Sequence, residues 1–269
     1  MNASPKLTAE QLTELNQHLE TLPPREIIQW AHSVFGNRLG LLSAMQEAGC
    51  LLCATIASMG LQREVDVLFV DTGVNFKETY ETLERLKATY GLNIRSLHPA
   101  QTMAEQTRDL GVLYITPDGQ KRCCEIRKKV PLQQIVGQYD GLLASLRRGS
   151  GGKRAKTPVL EIDRELNLLR IHPFINLTRE EMEQQIRAGN VVTNPLHQQG
   201  YPTIGCDRCT TPVLDGEDER AGRWRHLENA NVYCNINPTD RKRTDQGDPE
   251  EEGIILPADV MARILSFDI

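Results

Sequence analysis

One strand–turn–helix unit decides the fold: Val65-Asp66-Val67-Leu68-Phe69-Val70-Asp71-Thr72-Gly73, followed by a helix from about Phe76 to Tyr90. The first six residues are mostly apolar and β-branched or aromatic, which predicts a buried strand. Asp71-Thr72-Gly73 is typical of the turn that ends such a strand. The helix is predicted by apolar side chains at helical spacing, namely Tyr80, Leu83, Leu86 and Tyr90.

The same alternation continues on both sides of this unit. An apolar run from Leu39 to Ser43 leads into a helix that ends near Ser58, and a short strand at Asn93 to Leu97 precedes a helix at Met103 to Leu110. Alternating strands and helices predict an α/β fold with a mostly parallel, Rossmann-like sheet. Ligands of such sheets bind beyond the carboxyl ends of the strands, so we expect an anion or a nucleotide near Ser43 and Asp71.

Further elements are predicted outside this region. Residues 8–34 fit two helices, and the segment around Cys123 is predicted to be helical until about Val136. Candidate strands follow at 142–146 and 159–162. Thr178 with Glu181 three residues later forms a capping box, which predicts a helix that ends near Gly189.

The C-terminal part of the chain is predicted to be an appendage. Residues 239–252 are rich in charge and are expected to form a solvated linker before a short helix at 258–265. We therefore expect one domain over residues 1–238, with its N-terminal helices within 1–36. The segment 239–269 is then a flexible C-terminal tail.

Composition and charge narrow the class of protein. With 269 residues, 39% of them hydrophobic and 25% charged, the chain fits a soluble globular protein. A net charge of −5 argues against a general nucleic-acid binder, and no apolar run approaches the roughly 20 residues of a membrane helix. The first residues lack the apolar segment of a secretory signal, so the seven cysteines are expected to be reduced thiols in the cytoplasm.

Two short stretches are basic although the protein is acidic as a whole. Residues 121–129 hold five basic side chains against one glutamate, and residues 147–156 hold five and no acidic one. Local positive patches on an acidic protein indicate that a small anionic ligand is held at one place.

Two cysteine pairs give the strongest chemical signal. Cys123 and Cys124 are adjacent, and Cys206 and Cys209 form a C-x-x-C motif. Adjacent cysteines do not easily form a disulfide, because disulfides place Cα atoms roughly 4.4–6.8 Å apart whereas chain neighbours are held near ~3.8 Å. Brought together, the four thiols are soft ligands for an iron–sulfur cluster or for zinc. The missing spacer in the first pair mildly favours iron–sulfur, and four unrelated buried thiols are the third interpretation.

The remaining thiols and the histidines carry weaker signals. Cys50 and Cys53 form a second C-x-x-C, but apolar neighbours on a helix predict core residues rather than a redox dithiol. Cys234 follows the arginine-rich stretch Glu219-Arg220-Ala221-Gly222-Arg223-Trp224, and nearby cations can activate a thiol as a nucleophile. The residues alone leave Cys234 open between a nucleophile and an inert thiol. His197 has no ligand spacing to another histidine and is predicted to be a structural or surface residue.

Taken together, these features resemble the adenylyl-sulfate (APS) reductases, the iron–sulfur branch of the sulfonucleotide (PAPS/APS) reductase family. The similarity runs from about Leu39 to about Cys234. Its motifs, in order, are a turn at Ser43, Asp71-Thr72-Gly73, Cys123-Cys124-x-x-Arg127-Lys128-x-x-Pro131-Leu132, Leu146-Arg147-Arg148, Gly205-Cys206-x-x-Cys209-Thr210 and Glu219-Arg220-x-Gly222-Arg223-Trp224.

The resemblance implies a fold, a cofactor and a set of site residues. The fold is the adenine-nucleotide hydrolase-like α/β sheet of the PAPS reductases. The implied cofactor is a [4Fe–4S] cluster, and its ligands would be Cys123, Cys124, Cys206 and Cys209. APS would lie over the Ser43 turn and the Asp71 and Gly73 turn, with Lys128 between cluster and sulfate. The phosphosulfate oxygens would be bound by Arg147, Arg148, Arg220 and Arg223.

The implied reaction uses Cys234 as the nucleophile. Its thiolate attacks the sulfate sulfur, AMP leaves, and reduced thioredoxin or glutaredoxin then frees sulfite from the S-sulfonated cysteine. One departure stands out, because the family has Glu-Cys-Gly-(Leu/Ile)-His near the C-terminus. This chain has Tyr233-Cys234-Asn235-Ile236-Asn237 with further residues after it.

Two alternative functions follow from the same residues. The first is a reductase for the 3′-phosphorylated substrate, 3′-phosphoadenylyl sulfate. The second is a non-catalytic iron–sulfur protein that binds a nucleotide or senses redox state, which the altered Cys234 motif and the extra tail suggest. Homo-oligomerisation is left open by the sequence.

Overall fold

Eight strands are found in the computed structural model, which describes residues 6–227, 233, 235–241 and 253–266. They are β1 (Lys6–Thr8), β2 (Leu39–Leu42), β3 (Asp66–Val70), β4 (Ile94–Leu97), β5 (Gly141–Ala144), β6 (Leu160–Asp163), β7 (Leu168–Ile171) and β8 (Gly253–Ile255). Six of them form one sheet in the order β4-β3-β2-β5-β7-β6. All neighbours in it are parallel except β6 and β7, so the predicted α/β fold with a mostly parallel sheet is confirmed.

The helices lie between and beside these strands. Their bounds are α1 (Ala9–Leu19), α2 (Pro24–Phe35), α3 (Glu47–Ser58), α4 (Lys77–Tyr90), α5 (Met103–Leu110), α6 (Pro117–Cys124), α7 (Val130–Leu132), α8 (Arg179–Ala188) and α9 (Ala258–Leu265). The predicted capping box at Thr178 and Glu181 is confirmed at the start of α8. Between α6 and α7, Glu125–Lys129 form a π-helical turn, which the sequence pattern did not predict.

The core is formed where the two central strands meet the helices. β2 and β5 consist of leucine, glycine and alanine, and both are almost wholly buried, as expected of parallel strands covered on both faces. Gly141 is required at this contact, because a Cβ built there would lie 2.6 Å from the ring of Phe35. The glycine therefore lets α2 pack directly on β5.

The order of the strands reverses at the centre of the sheet. β2 pairs with β3 on one side and with β5 on the other, so the connections that leave its two neighbours run in opposite directions. In open α/β sheets the ligand-binding crevice opens at such a switch point, beyond the carboxyl ends of the strands.

The two ends of the described chain are tied together. β1 pairs with β8 in an antiparallel ribbon, and the predicted C-terminal helix, α9, packs on α2. The prediction of a solvated linker from residue 239 onward is wrong for residues 239–241, because Asp240 and Arg241 are buried against charged partners. The division into residues 1–238 and 239–269 stays a prediction.

Among the described residues, no helix combines the length and the apolar character that crossing a membrane requires.

Candidate active site

A cavity of about 230 Å³ lies at the carboxyl ends of β2, β3 and β5. Ser43 lines it directly after β2, Thr72 lines it after β3, and Ser145 with Arg147 lines it after β5. These are the positions at which strand order and the sequence pattern predicted a ligand.

The Ser43 turn brings a helix N-terminus to this cavity. Ser43 Oγ accepts a hydrogen bond from the Met45 N–H at 3.2 Å, and Met45 adopts a φ of 55° that lets the chain turn sharply into α3. Gly49 packs against the same hydroxyl, since a Cβ there would lie 2.6 Å from Ser43 Oγ. The first residues of α3 line the cavity, and the positive end of a helix dipole favours an anion there.

His197 completes this turn and is a site residue that the sequence prediction missed. Its Nε2 accepts a hydrogen bond from the Glu47 N–H at 3.2 Å, and the side chain lines the cavity. Burial lowers the pKa of His197 to about 4, so the ring is neutral at pH 7 and Nε2 can act as an acceptor. Spacing between histidines carried no signal for this role, because the partner of His197 is a backbone group 150 residues away.

Asp71 and Gly73 shape the second turn without lining the cavity. Asp71 Oδ1 accepts from the Gly73 N–H at 2.8 Å and from the Tyr80 hydroxyl at 2.7 Å. Gly73 has a φ of 69°, which few other residues adopt. This turn presents Thr72 and Asn75 to the cavity instead.

Five arginines line the cavity: Arg147, Arg154, Arg179, Arg220 and Arg223. The resemblance had supplied Arg147, Arg220 and Arg223, whereas Arg154 and Arg179 were not singled out. Burial lowers the pKa of Arg147 from its ordinary value, but an arginine stays charged at neutral pH. Several guanidinium groups around one cavity are suited to phosphate or sulfate oxygens.

Arg223 is the clearest candidate for binding an anion. Its guanidinium stacks on Trp224, with Cζ 4.4 Å from the ring centroid, and its buried Nε has no acceptor among the described residues. Gly205 makes room for it, since a Cβ at that position would lie 2.4 Å from Arg223 Nη2.

Arg148 lies outside this group. Its guanidinium pairs with both carboxylate oxygens of Glu20, and its Nε donates to the Thr157 carbonyl at 2.9 Å. The chain is extended at Arg147, so consecutive side chains point to opposite sides and only the first reaches the cavity. The geometry therefore gives Arg148 a structural partner in place of a ligand.

A second, smaller cavity of about 20 Å³ is lined by all four cysteines of the predicted cluster. Cys123 and Cys124 end α6, while Cys206 forms a short bridge with Asn75 and Cys209 follows three residues later. The two pairs, 82 residues or more apart in sequence, are thus brought together as expected. Lys128 lines both cavities and lies between the thiols and the arginines.

The surroundings of these thiols fit a sulfur-ligated group. Amide N–H groups approach the sulfurs, with Gln106 Nε2 at 3.5 Å from Cys123 Sγ and Gln120 Nε2 at 3.3 Å from Cys124 Sγ. The buried indole N–H of Trp224, which lines the same cavity, has no acceptor among the described residues. Burial, with the neighbouring thiols as a further cause, raises the pKa of Cys209 to about 12.

Such thiols ionise together only if a cation or a metal offsets their charge. Four soft sulfur donors beside amide donors and cationic side chains therefore fit an iron–sulfur cluster or zinc. Within the described ranges, however, no three Cys, His, Asp or Glu side chains are arranged closely enough to form a ready metal site.

Cys234, the predicted nucleophile, lies outside the described residues. Its neighbours in sequence are described, and they adjoin the cavity. The ring of Tyr233 is buried beneath Arg220, and the Arg220 Cζ lies 4.7 Å from the ring centroid. Ile236 and Asn237 line the cavity. The role of Cys234 stays a prediction.

Comparisons with known proteins agree on one family. Residues 50–212 match the model of the phosphoadenosine phosphosulfate reductase domain. The chain is 37% identical over 216 residues to the adenosine 5′-phosphosulfate reductase of Halalkalibacterium halodurans, covering 79% of this chain and 91% of that protein. It is 35% identical over 212 residues to adenosine 5′-phosphosulfate reductase 1 of Bacillus subtilis, covering 78% and 88%.

One solved structure supports the fold independently. The phosphoadenylyl-sulfate (PAPS) reductase of Candida auris, crystallised as a phosphate complex, aligns with a TM-score of 0.67 and 24% sequence identity. The alignment covers 78% of this chain and all of that one. At this level of identity the likeness concerns the fold.

Proposed function

The chain belongs to the phosphoadenosine phosphosulfate reductase family, and we propose that it reduces adenosine 5′-phosphosulfate to sulfite and AMP in sulfate assimilation. The names of the relatives, adenosine 5′-phosphosulfate reductases at 33–37% identity, support this substrate. One observation in the structure carries the proposal. Lys128 lies between a cavity lined by arginines and a cavity lined by four cysteines.

The cavity suits a nucleotide that carries an acidic anhydride. Apolar side chains such as Phe69, Leu146 and Ile204 are among the residues that line it and can cover an adenine ring. The helix N-terminus of α3 and the arginines provide donors for the phosphosulfate oxygens. Binding at the carboxyl ends of β2, β3 and β5 follows the rule for this class of sheet.

Cys234 would act as the nucleophile of the reaction. Its thiolate attacks the sulfur of the sulfate group, the bond from that sulfur to the phosphate oxygen breaks, and AMP leaves with the electron pair. The cysteine then carries an S-sulfonate. Cationic side chains in a largely buried pocket offset the negative charge that a thiolate meets at a dianionic centre.

A dithiol reductant such as thioredoxin or glutaredoxin would complete the cycle. One of its thiolates attacks the Cys234 sulfur, and sulfite leaves with the electrons of the broken sulfur–sulfur bond. The second thiol of the reductant resolves the mixed disulfide and returns Cys234 to its thiol form. The dithiol is thus oxidised by two electrons while sulfate is reduced to sulfite.

Cys123, Cys124, Cys206 and Cys209 would hold a [4Fe–4S] cluster. When bound, the cluster supplies a charged, sulfide-rich centre beside the substrate pocket. Arg127 is 2% exposed and is fixed by hydrogen bonds to the Thr72 carbonyl at 2.6 Å and to Gln106 Oε1 at 3.1 Å. With Lys128 it offsets negative charge on the thiolates.

The test is anaerobic purification, followed by iron and acid-labile sulfide analysis and a sulfite-release assay with reduced thioredoxin. We expect about four iron and four sulfide per chain, because a [4Fe–4S] cluster contains four of each, and kcat/KM higher for APS than for its 3′-phosphorylated form. Zinc without sulfide would contradict the cluster. A higher kcat/KM for the 3′-phosphorylated nucleotide would replace the proposed substrate.

A single variant separates the enzyme from a non-catalytic binding protein. Mixing the protein with APS and no reductant should add one SO₃ group to the intact mass, and Cys234→Ser should abolish both this adduct and sulfite release. Nucleotide binding without an adduct in the parent protein would favour the non-catalytic function.

A further inference from the structure

The segment that follows Cys234 is held in place by buried ion pairs. Residues 235–241 cross the end of β6 and carry Asp240, which is fully buried, and Arg241, which is 7% exposed. Each of the two finds an oppositely charged partner on a different element of the body. We call these two ion pairs the latch.

Arg241 provides the first part of the latch. Its Nη1 lies 2.9 Å from Oδ1 of Asp163, a fully buried carboxylate at the end of β6 that also pairs with Arg170 at 2.9 Å. Burial alone would raise the pKa of Asp163, but Arg170 and Arg241 hold it below its ordinary value. Arg241 also binds its own segment of the chain, because Nε donates to the Asn235 carbonyl at 3.1 Å and Nη2 to the Ile236 carbonyl at 3.1 Å.

Asp240 provides the second part. Arg154 binds it in fork geometry, with Nε 3.0 Å from Oδ1 and Nη2 2.7 Å from Oδ2. Lys153 donates to the Asp240 carbonyl at 2.9 Å, and Asn237 Nδ2 donates to Oδ2 at 3.1 Å. Both basic residues belong to the 147–156 stretch, which the sequence singled out for an anionic ligand.

The latch is continuous with the substrate cavity. Arg154 lines the cavity and also packs over Tyr233, with Cζ 5.5 Å from the ring centroid. Arg241 Nη2 lies 3.3 Å from Glu165 Oε2, and Glu165 Oε1 binds Lys129 Nζ at 2.9 Å, next to Lys128. The segment on both sides of Cys234 is therefore linked to Arg154 of the cavity and, through Glu165, to Lys129.

We propose that Asp240 and Arg241 are positioning residues that fix the carboxyl side of the Cys234 segment against the cavity. Removing one partner leaves the other buried and uncompensated, so the loss of either side chain should release the segment from its place. A nucleophile must be aligned with its target before it reacts efficiently. The inference rests on the proposed role of Cys234 and assigns the alignment to residues outside the family motifs.

The experiment compares Arg241→Gln and Arg241→Lys with a matched control, Arg38→Gln. Arg38 pairs with Asp140, a buried carboxylate at the amino end of β5, away from the cavity. We expect Arg241→Gln to lower kcat for sulfite release by about 10–100-fold with KM for APS changed less than about threefold, because alignment and not binding is lost. Arg241→Lys should recover part of kcat, and Arg38→Gln should retain it.

A second measurement does not depend on turnover. Alkylation of Cys234 by iodoacetamide, followed by peptide mapping, should be about tenfold faster in Arg241→Gln than in the parent, because local opening exposes the segment. The same reaction in Arg38→Gln should match the parent. Asp240→Asn should speed alkylation in the same direction and serves as the second variant if Arg241→Gln does not fold.

The possible outcomes are distinct. Folded Arg241→Gln and Asp240→Asn proteins with parent kcat and parent alkylation rates would overturn the latch. Equal losses in Arg241→Gln and Arg38→Gln would show a general stability effect and would also overturn it. If the parent protein releases no sulfite, the proposed function fails, while the alkylation rates still decide whether the latch holds the segment.

Discussion

Two C-x-x-C motifs in this chain have the same spacing and opposite surroundings. Cys50 and Cys53 lie on α3, are fully buried, and belong to the main hydrophobic core. Cys206 forms a bridge with Asn75, in the turn after β3. Cys206 and Cys209 line a small cavity with Arg127, another pair of thiols and Lys128.

The comparison teaches that surroundings, and not spacing, decide what a thiol pair does. Burial in the apolar core raises the pKa of Cys53 to about 12 and also holds that of Cys50 well above its ordinary value, so both stay protonated and inert. Burial also raises the pKa of Cys209, but its neighbours are cations and further thiols. Such thiols can give up their protons to a metal group.

The largest expected effect is that of Cys209→Ser, for which Cys53→Ser in the other motif is the control. Cys209→Ser should lose the iron and sulfide, and kcat/KM for APS should fall by more than the ~10–100-fold that changes outside the ligand shell typically cause. Cys53→Ser should keep its iron content and most of its activity. Iron analysis and sulfite release measure both variants, and equal loss in the two would remove the distinction between the motifs.

A second prediction concerns Lys128, because its side chain lines both cavities. Lys128→Met should lower kcat/KM for APS by about 100-fold, because a cation aimed at the reacting group is removed from a buried site. The control is Lys121→Met, since Lys121 is half-exposed and pairs only with Asp118 at 2.8 Å among the contacts described. A similar loss in both variants would mean that general positive charge matters, and not the position of Lys128.

A third prediction compares Arg147 and Arg148, which are adjacent and identical but have different surroundings. Arg147→Gln should raise KM for APS by about tenfold, the size of one lost charge-assisted hydrogen bond to an anion. Arg148→Gln should leave KM unchanged and lower the free energy of unfolding by at most about 1 kcal/mol, since its pair with Glu20 is partly exposed. A larger rise of KM in Arg148→Gln than in Arg147→Gln would reverse the assignment.

The smallest effect concerns the pH dependence of stability. An unfolded Cys53 releases its proton near its ordinary value of 9.0, whereas the folded thiol holds it up to about 12. Stability due to this group is therefore complete below pH 9 and falls as the pH rises, by up to about 1.4 kcal/mol per pH unit. Urea unfolding at pH 8 to 10.5 should show a shallower decline in Cys53→Ala than in the parent, and equal slopes would contradict the buried pKa.

The repeating strand–helix units of the fold were predictable from sequence because their signals are local. The strand ending at Val70 and the helix ending at Tyr90 lie where apolar spacing placed them. β7 was not predicted, because its four residues are too few to show the alternation that distinguishes a strand from a coil. The pairing of β1 with β8 joins residues about 250 positions apart, which no local pattern encodes.

The sequence predicted those site residues whose position depends on a local element. Motif residues that end a strand or a helix, such as Ser43 and Cys123, lie where their elements put them. Arg179 is simply the first residue of α8, and only packing brings it to the cavity. The opposite directions of Arg147 and Arg148 depend on an extended backbone at one residue, which the run of basic side chains does not reveal.

The π-helical turn at Glu125–Lys129 has a consequence for how relatives of this protein are recognised. One residue fewer in that turn would restore regular α-helical winding and rotate everything before it by about 100° about the helix axis. Cys123 and Cys124 would then turn away from Cys206 and Cys209, although all four cysteines would still be present in order. An alignment that tolerates a single gap there would still match all four cysteines in such a sequence, although they would no longer face one cavity.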